Sequence, residues 1–201
     1  LGSVFKIITA TAAFETNAID ANSTFECTGY FSKSHNKFKC WIADSSSQHG
    51  NVNIYEALKR SCNIFFYKTA QKTNIIDFCN WAKKFGLGEK TGIDLPYEKD
   101  GLLPTPEWKL NARKEQWYLT DTLNLGIGQG DLLVTPIQTI EIIAAIANGG
   151  YIVQPHLLMT ENNNNIKTNL NMSKKTIDTI KKGLWGVVND SNGGTASTSG
   201  L

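Results

Sequence analysis

The chain has 201 residues, 41% hydrophobic and 19% charged, with 20 basic and 18 acidic side chains and a net charge of +2. That balance fits one globular domain with a sizeable core and excludes a disordered or fibrous chain. It also offers no concentrated basic surface for nucleic acid, because Lys174, Lys175, Lys181 and Lys182 recur at helical spacing and read as a solvated face.

In chain order, Val4, Phe5, Ile7, Ile8, Ala12 and Phe14 form an apolar stripe that predicts a helix over 3–16. Residues 22–48 are polar and irregular, and read as loop with a β-hairpin near Tyr30-Phe31 and Phe38. Asn53 and Glu56 have capping-box spacing, so a helix is expected from there, with Ile54, Ala57 and Leu58 inward. A second helix follows Ser61-Cys62-Asn63 and carries Ile64, Phe65 and Tyr67; a third is capped by Asn74 and ended by Gly86.

Residues 86–134 are rich in glycine and proline with little helical period, and are predicted to be loop and short turns of functional character. Thr135-Pro136 starts a helix that ends at Gly149-Gly150, and Tyr151-Ile152-Val153 reads as a strand. Residues 161–171 read as surface loop, Ser173 caps a last helix to about Val188, and the tail is loop. There is no repeat and no internal boundary, so residues 1–201 are read as one partial domain. No apolar run approaches the roughly 18–20 residues that span a bilayer. The chain opens on Leu1-Gly2-Ser3 and is expected to be a fragment.

Ser3-Val4-Phe5-Lys6 sets a hydroxyl and an amine one helical turn apart. A lysine can deprotonate a serine only when its amine is neutral, which burial and the positive end of a helix both favour. The pair alone is a weak signal, since Ser34-His35-Asn36-Lys37 repeats the spacing in a polar loop. Ser3 gains weight from the apolar helix that follows it and from Ser61-Cys62-Asn63 downstream. A break between helices there would turn Ser61 and Asn63 toward a shared cleft.

Ser-x-x-Lys followed by Ser-x-Asn is the motif pair of penicillin-binding proteins and serine β-lactamases. The rest of the chain resembles the elongation-type penicillin-binding protein 2 branch. The resemblance rests on Thr91-Gly92-Ile93-Asp94-Leu95-Pro96, Pro104-Thr105-Pro106-Glu107-Trp108-Lys109, Gly126-Ile127-Gly128-Gln129-Gly130, Val134-Thr135-Pro136-Ile137-Gln138 and Pro155-His156-Leu157, in the family's order.

The resemblance implies an α/β (α+β) fold, a helical lobe packed on a mainly antiparallel sheet. It implies a peptidoglycan D,D-transpeptidase that acts through a serine acyl-enzyme during cell elongation and is acylated by β-lactams. In that reading Ser3 is the nucleophile, Lys6 its base, Ser61 a proton relay, and Asn63 a partner for substrate and Lys6. The partners implied are peptidoglycan stem peptides ending in D-Ala-D-Ala, β-lactams, a membrane anchor and an elongation glycosyltransferase, with no nucleic acid. The place implied is the periplasmic face of the bacterial inner membrane. A β-lactam-sensing receptor domain and a serine β-lactamase are the rival readings.

The family's third motif, Lys-Thr/Ser-Gly on a strand, is expected beyond Leu201. Lys90-Thr91-Gly92 and Gly194-Thr195-Ala196 are read as look-alikes. Leu1 and Thr120 depart from the family's usual Pro and Gly.

Cys27, Cys40 and Cys62 combine with His49 as Cys-x12-Cys-x8-His-x12-Cys, a thiolate and imidazole set suited to structural zinc. The resemblance supports Zn2+ here, with Cys62 as last ligand bracing the loop of Ser61 and Asn63. A Cys27–Cys40 disulfide, free thiols, and His35 in place of His49 remain open. Cys79 is read as core, His156 as structural, and Trp108 and Trp117 as walls of a substrate groove.

Overall fold

The computed structural model describes residues 1–32, 38–45, 47–158 and 167–199. Its central element is α1 (Lys6–Glu15), entered through a tight 3-10 turn at Gly2–Phe5. The sequence predicts a one-sided apolar stripe; instead every residue from Lys6 to Phe14 is buried. Ala10, Ala12 and Ala13 keep the helix thin, so neighbours close on it from several sides. The buried threonine hydroxyls are satisfied: Thr11 donates to the Ile7 carbonyl (2.9 Å) and Thr9 to that of Gly126 (2.8 Å).

β1 (Phe25–Cys27) pairs antiparallel with β2 (Gly50–Val52), Cys27 opposite Gly50. The hairpin expected inside 22–48 therefore closes over a longer span, with Tyr30 and Lys39 forming an isolated bridge within it. α2 (Ile54–Lys59) starts at Asn53, whose side chain accepts from the Glu56 N–H (3.0 Å). α3 (Asn63–Lys72) and α4 (Ile75–Lys84, capped by Asn74) pack against α1, with Phe5, Phe65, Phe66 and Phe78 fully buried. Each such ring contributes about 1.5–3 kcal/mol of transfer free energy.

Residues 86–134 are not only loop. They contain α5 (Pro106–Arg113) and α6 (Leu119–Gly126). α5 buries only Lys109, so it has no apolar stripe to betray it. Its start is chemical: Thr105 accepts from the Trp108 N–H (3.0 Å) ahead of Pro106. Lys109 then pairs with Asp121 (2.8 Å), which also accepts from the Tyr118 N–H (2.7 Å) and opens α6. α6 packs on α3.

α7 (Pro136–Ala147) begins in a capping box between Thr135 and Gln138. β3 (Tyr151–Val153) pairs antiparallel with β4 (Lys167–Asn169). The surface loop expected at 161–171 is thus partly strand; its residues 161–166 lie outside the described residues. α8 (Lys174–Asn189), capped by Ser173, packs along α2. Lys174, Lys175, Lys181 and Lys182 are exposed on α8, as a solvated face requires. The architecture is α+β: a helical body with two small antiparallel sheets among the described residues. None of the described helices is long and apolar enough to cross a membrane.

Candidate active site and metal centre

Ser3 sits in the turn that leads into α1. Gly2 before it has φ +66° and donates its N–H to the Gly128 carbonyl (2.9 Å). A Cβ on Gly128 would lie 2.3 Å from the Gly2 carbonyl oxygen, so only glycine admits this approach. The glycine-rich segment 126–130 is therefore a backbone buttress for Ser3, in keeping with the turns expected there.

Ser61 follows the end of α2 with φ +50°, a left-handed conformation costly for a residue with a Cβ. Its N–H and that of Cys62 close on the carbonyls of Leu58 and Ala57, which terminates α2 before α3 begins at Asn63. This is the break that the sequence predicts, and it aims two side chains at Lys6. Lys6 Nζ donates to Asn63 Oδ1 (2.7 Å), Ser61 Oγ (2.9 Å) and the Ser61 carbonyl (2.9 Å). Ser3 Oγ lies 2.9 Å from Ser61 Oγ, so the two serines and the lysine form a continuous chain.

Lys6 is 2% exposed. Burial pulls its ammonium down to about 8, against the opposing pull of Cys40 and Cys62. About one Lys6 in ten is then neutral at pH 7, against fewer than ~1 in 1,000 for an unperturbed lysine. All three ammonium protons have acceptors. Loss of the one facing Ser61 Oγ leaves a lone pair in line with that hydroxyl.

Two cavities lined by described residues reach Ser3. One, of about 270 Å³, is an apolar slot walled by Val4, Ile7, Leu58, Ile143 and Leu184. The other, about 570 Å³, is an open cleft bordered by Ser3, Trp41, Ser61, Asn63 and Thr195. Trp41 and Thr195 escaped the sequence reading as site residues. Trp41 donates its indole N–H to the Arg60 carbonyl (3.0 Å) and packs edge-on to His49. Its place next to Cys40 was the available signal. Thr195 donates its N–H to the Lys59 carbonyl (3.2 Å), so the Gly194-Thr195-Ala196 look-alike lines the site although it lacks a lysine.

Cys27, Cys40, His49 and Cys62 are brought together, their ligand atoms all within 4.8 Å of one another. His49 Nδ1 lies 3.7 Å from Cys27 Sγ and 3.5 Å from Cys40 Sγ. Tetrahedral zinc, with bonds of about 2.3 Å to sulfur and 2.0–2.1 Å to nitrogen, implies edges of about 3.6–3.8 Å between donors. The donor set fits. No disulfide joins these cysteines. Hydrogen bonds from Cys27, Cys62 and His49 hold the Cys40 thiol far below the usual range, and those to Cys27 and Cys40 push His49 up to about 9. The segment also grips the Ser61 loop directly, since Asn63 Nδ2 donates to the Lys39 carbonyl (3.1 Å).

The remaining expectations divide. Ser34, His35 and Lys37 lie outside the described residues. Lys90-Thr91-Gly92 is loop, with the N–H groups of Thr91 and Gly92 donating to Glu98, as a look-alike should be. Cys79 is buried in the core. Trp117 borders a small separate cleft and Trp108 stacks near Arg113; neither walls the two cavities at Ser3.

Residues 1–200 match the family model described as the penicillin binding protein transpeptidase domain. The chain is 38% identical over 160 residues to the peptidoglycan D,D-transpeptidase MrdA of Acinetobacter baumannii, covering 78% of this chain and 23% of that protein. It thus spans about a quarter of that relative's length. A penicillin-binding protein (PBP2) from Helicobacter pylori superposes with TM-score 0.89 and 33% identity, over 98% of this chain and 37% of that one. The Helicobacter pylori PBP2 solved in complex with MreC gives 0.86 and 31%, over 96% and 36%.

Proposed function

The chain belongs to the penicillin-binding protein transpeptidase domain family, and on that premise we propose that it carries the acylation centre of a peptidoglycan D,D-transpeptidase of the elongation type. The observation that carries this reading is the chain Ser3 Oγ–Ser61 Oγ–Lys6 Nζ, two steps of 2.9 Å, with Asn63 fixing the lysine at 2.7 Å.

In this reading neutral Lys6 draws a proton from Ser61 while Ser61 takes that of Ser3. Ser3 Oγ then bonds to the carbonyl carbon of the penultimate D-Ala of a stem peptide. The terminal D-Ala leaves as an amine, reprotonated back along the same chain, and an amine from a second stem peptide displaces Ser3. β-Lactams acylate the same oxygen. The similarity to proteins named as transpeptidases favours this over a β-lactam sensor or a β-lactamase.

A structural zinc ion on Cys27, Cys40, His49 and Cys62 is part of the proposal. It would supply no chemistry to the reaction; its ligand Cys62 lies between Ser61 and Asn63, so it would hold their loop. We also place the catalytic domain at the periplasmic face of the inner membrane, behind an anchor, with a glycosyltransferase partner. A relative solved in complex with MreC supports assembly with partner proteins.

Fluorescent-penicillin labelling of the intact protein tests the assignment. Label should appear on the protein and vanish in Ser3→Ala; label retained in that variant would overturn it.

A further inference from the structure

A polar pocket of about 320 Å³ shares no lining residue with the two cavities at Ser3. It forms where Gln138 of α7 donates its amide to the carbonyls of Gly86, Glu89 and Asp100, pinning the loop after α4 over the helix. One turn along α7, Glu141 faces into this space and is 6% exposed. None of the described residues donates a hydrogen bond or an ion pair to its carboxylate. Glu98, whose negative charge acts on Glu141, has its own oxygens taken by Thr91 and Gly92. Burial, with the Glu98 charge, pushes the Glu141 carboxyl up to about 7.

The carboxylate oxygens open onto the pocket rather than being sealed in the core, so a donor entering the pocket can reach them, and a largely buried carboxylate gains from one. Around the same pocket stand Lys83 and Lys84, in the last turn of α4, and Lys90. All three are exposed, and none has a carboxylate partner among the described residues. Glu89 also lines it, and Glu98 acts on both Glu141 and Lys90, so three lysines stand here with three carboxylates.

We propose that this pocket binds a free dicarboxylic amino acid, its ammonium donating to Glu141 and its two carboxylates facing Lys83, Lys84 and Lys90. The ammonium pairs with the Glu141 carboxylate, which has no donor among the described residues. The ligand's two carboxylates meet the lysine ammonium groups, which are exposed at the same pocket. A simple anion would leave Glu141 unpaired and be repelled by it. A metal cation would meet three ammonium groups and too few free oxygens. The volume is at the small end for ligand pockets and suits a molecule of this size.

Calorimetric titration of the intact protein with L-glutamate and D-glutamate, and with glutarate, which lacks the ammonium, tests this without any readout from Ser3. Saturable binding of either glutamate, at least about tenfold tighter than glutarate, is expected. Glu141→Gln, which removes a buried charge and leaves the shape, should bring glutamate down to the glutarate level. Lys83→Ala with Lys90→Ala, on the surface, should weaken both ligands. Glutarate binding as tightly as glutamate, an unchanged glutamate affinity in Glu141→Gln, or no saturation by about 10 mM would overturn the proposal.

Discussion

Nζ of Lys6 lies 2.7 Å from Oδ1 of Asn63, two residues 57 apart in sequence, and the same Nζ lies 2.9 Å from Oγ of Ser61. The lysine is thus held in one orientation while burial favours its neutral form at about 8. The acylation rate by a penicillin should rise about tenfold per pH unit below that value and level off above it. An unburied lysine would place the plateau above ~10. Lys6→Arg keeps its proton at every accessible pH and should lose at least ~10³-fold. Stopped-flow acylation from pH 6 to 9 measures both; a flat profile contradicts Lys6 as base.

The cysteine cluster makes a separate prediction. If Cys27, Cys40, His49 and Cys62 hold zinc, a chelator should lower the unfolding temperature while a reductant alone should not. A loss of ~3 kcal/mol corresponds to about 6–12 °C for a chain of this length. Acylation should slow in parallel, because Ser61 and Asn63 flank Cys62. A fall caused by reductant alone would instead assign a Cys27–Cys40 disulfide.

Gly128 and Gly130 separate strain from positioning. Both have positive φ, so alanine at either is strained. At Gly130 the nearest atom to a new Cβ is Asn124 Cβ at 3.5 Å, whereas at Gly128 the Gly2 carbonyl oxygen stands at 2.3 Å. Gly130→Ala should cost about 1–2 kcal/mol and retain penicillin acylation. Gly128→Ala must displace the Gly2–Ser3 backbone; it should cost more than ~2 kcal/mol and slow acylation at least ~10-fold. Denaturant melts and labelling rates of the two variants, compared side by side, decide this.

The helix caps at Asn53, Asn74, Thr135 and Ser173 were legible because capping is local chemistry. The convergence of Ser3, Lys6, Ser61 and Asn63 was legible only through motif order, since spacing alone could not prefer Ser3 over Ser34. α5 was hidden because its one buried residue, Lys109, is ionic and pairs with Asp121, while α6 buries Leu123 and Leu125 within only eight residues, too short a stripe for a periodicity reading. Trp41 and Thr195 were hidden because each reaches the cleft from a short 3-10 helix or a turn through a long-range hydrogen bond, to the carbonyls of Arg60 and Lys59.

Glu141 gives the last prediction, in stability. Its carboxyl is raised from 4.5 to about 7 by burial and by Glu98, with Glu89, Lys83, Lys84 and Lys90 around the same pocket. Between those two values the folded chain holds a proton that the unfolded chain has lost. Stability therefore falls as pH rises from about 4.5 to about 7, and the deficit is complete above that window. Glu141→Gln removes the deficit. The variant should match the parent below about pH 4.5 and exceed it at pH 8 by about 1–3 kcal/mol, toward the lower end where pocket water screens the charge. Urea melts at both pH values measure the difference, with the parent's dicarboxylic amino acid absent from the buffer. Equal stability of parent and variant at pH 8 would mean that the carboxylate already has a donor, and would count against an ammonium ligand as well.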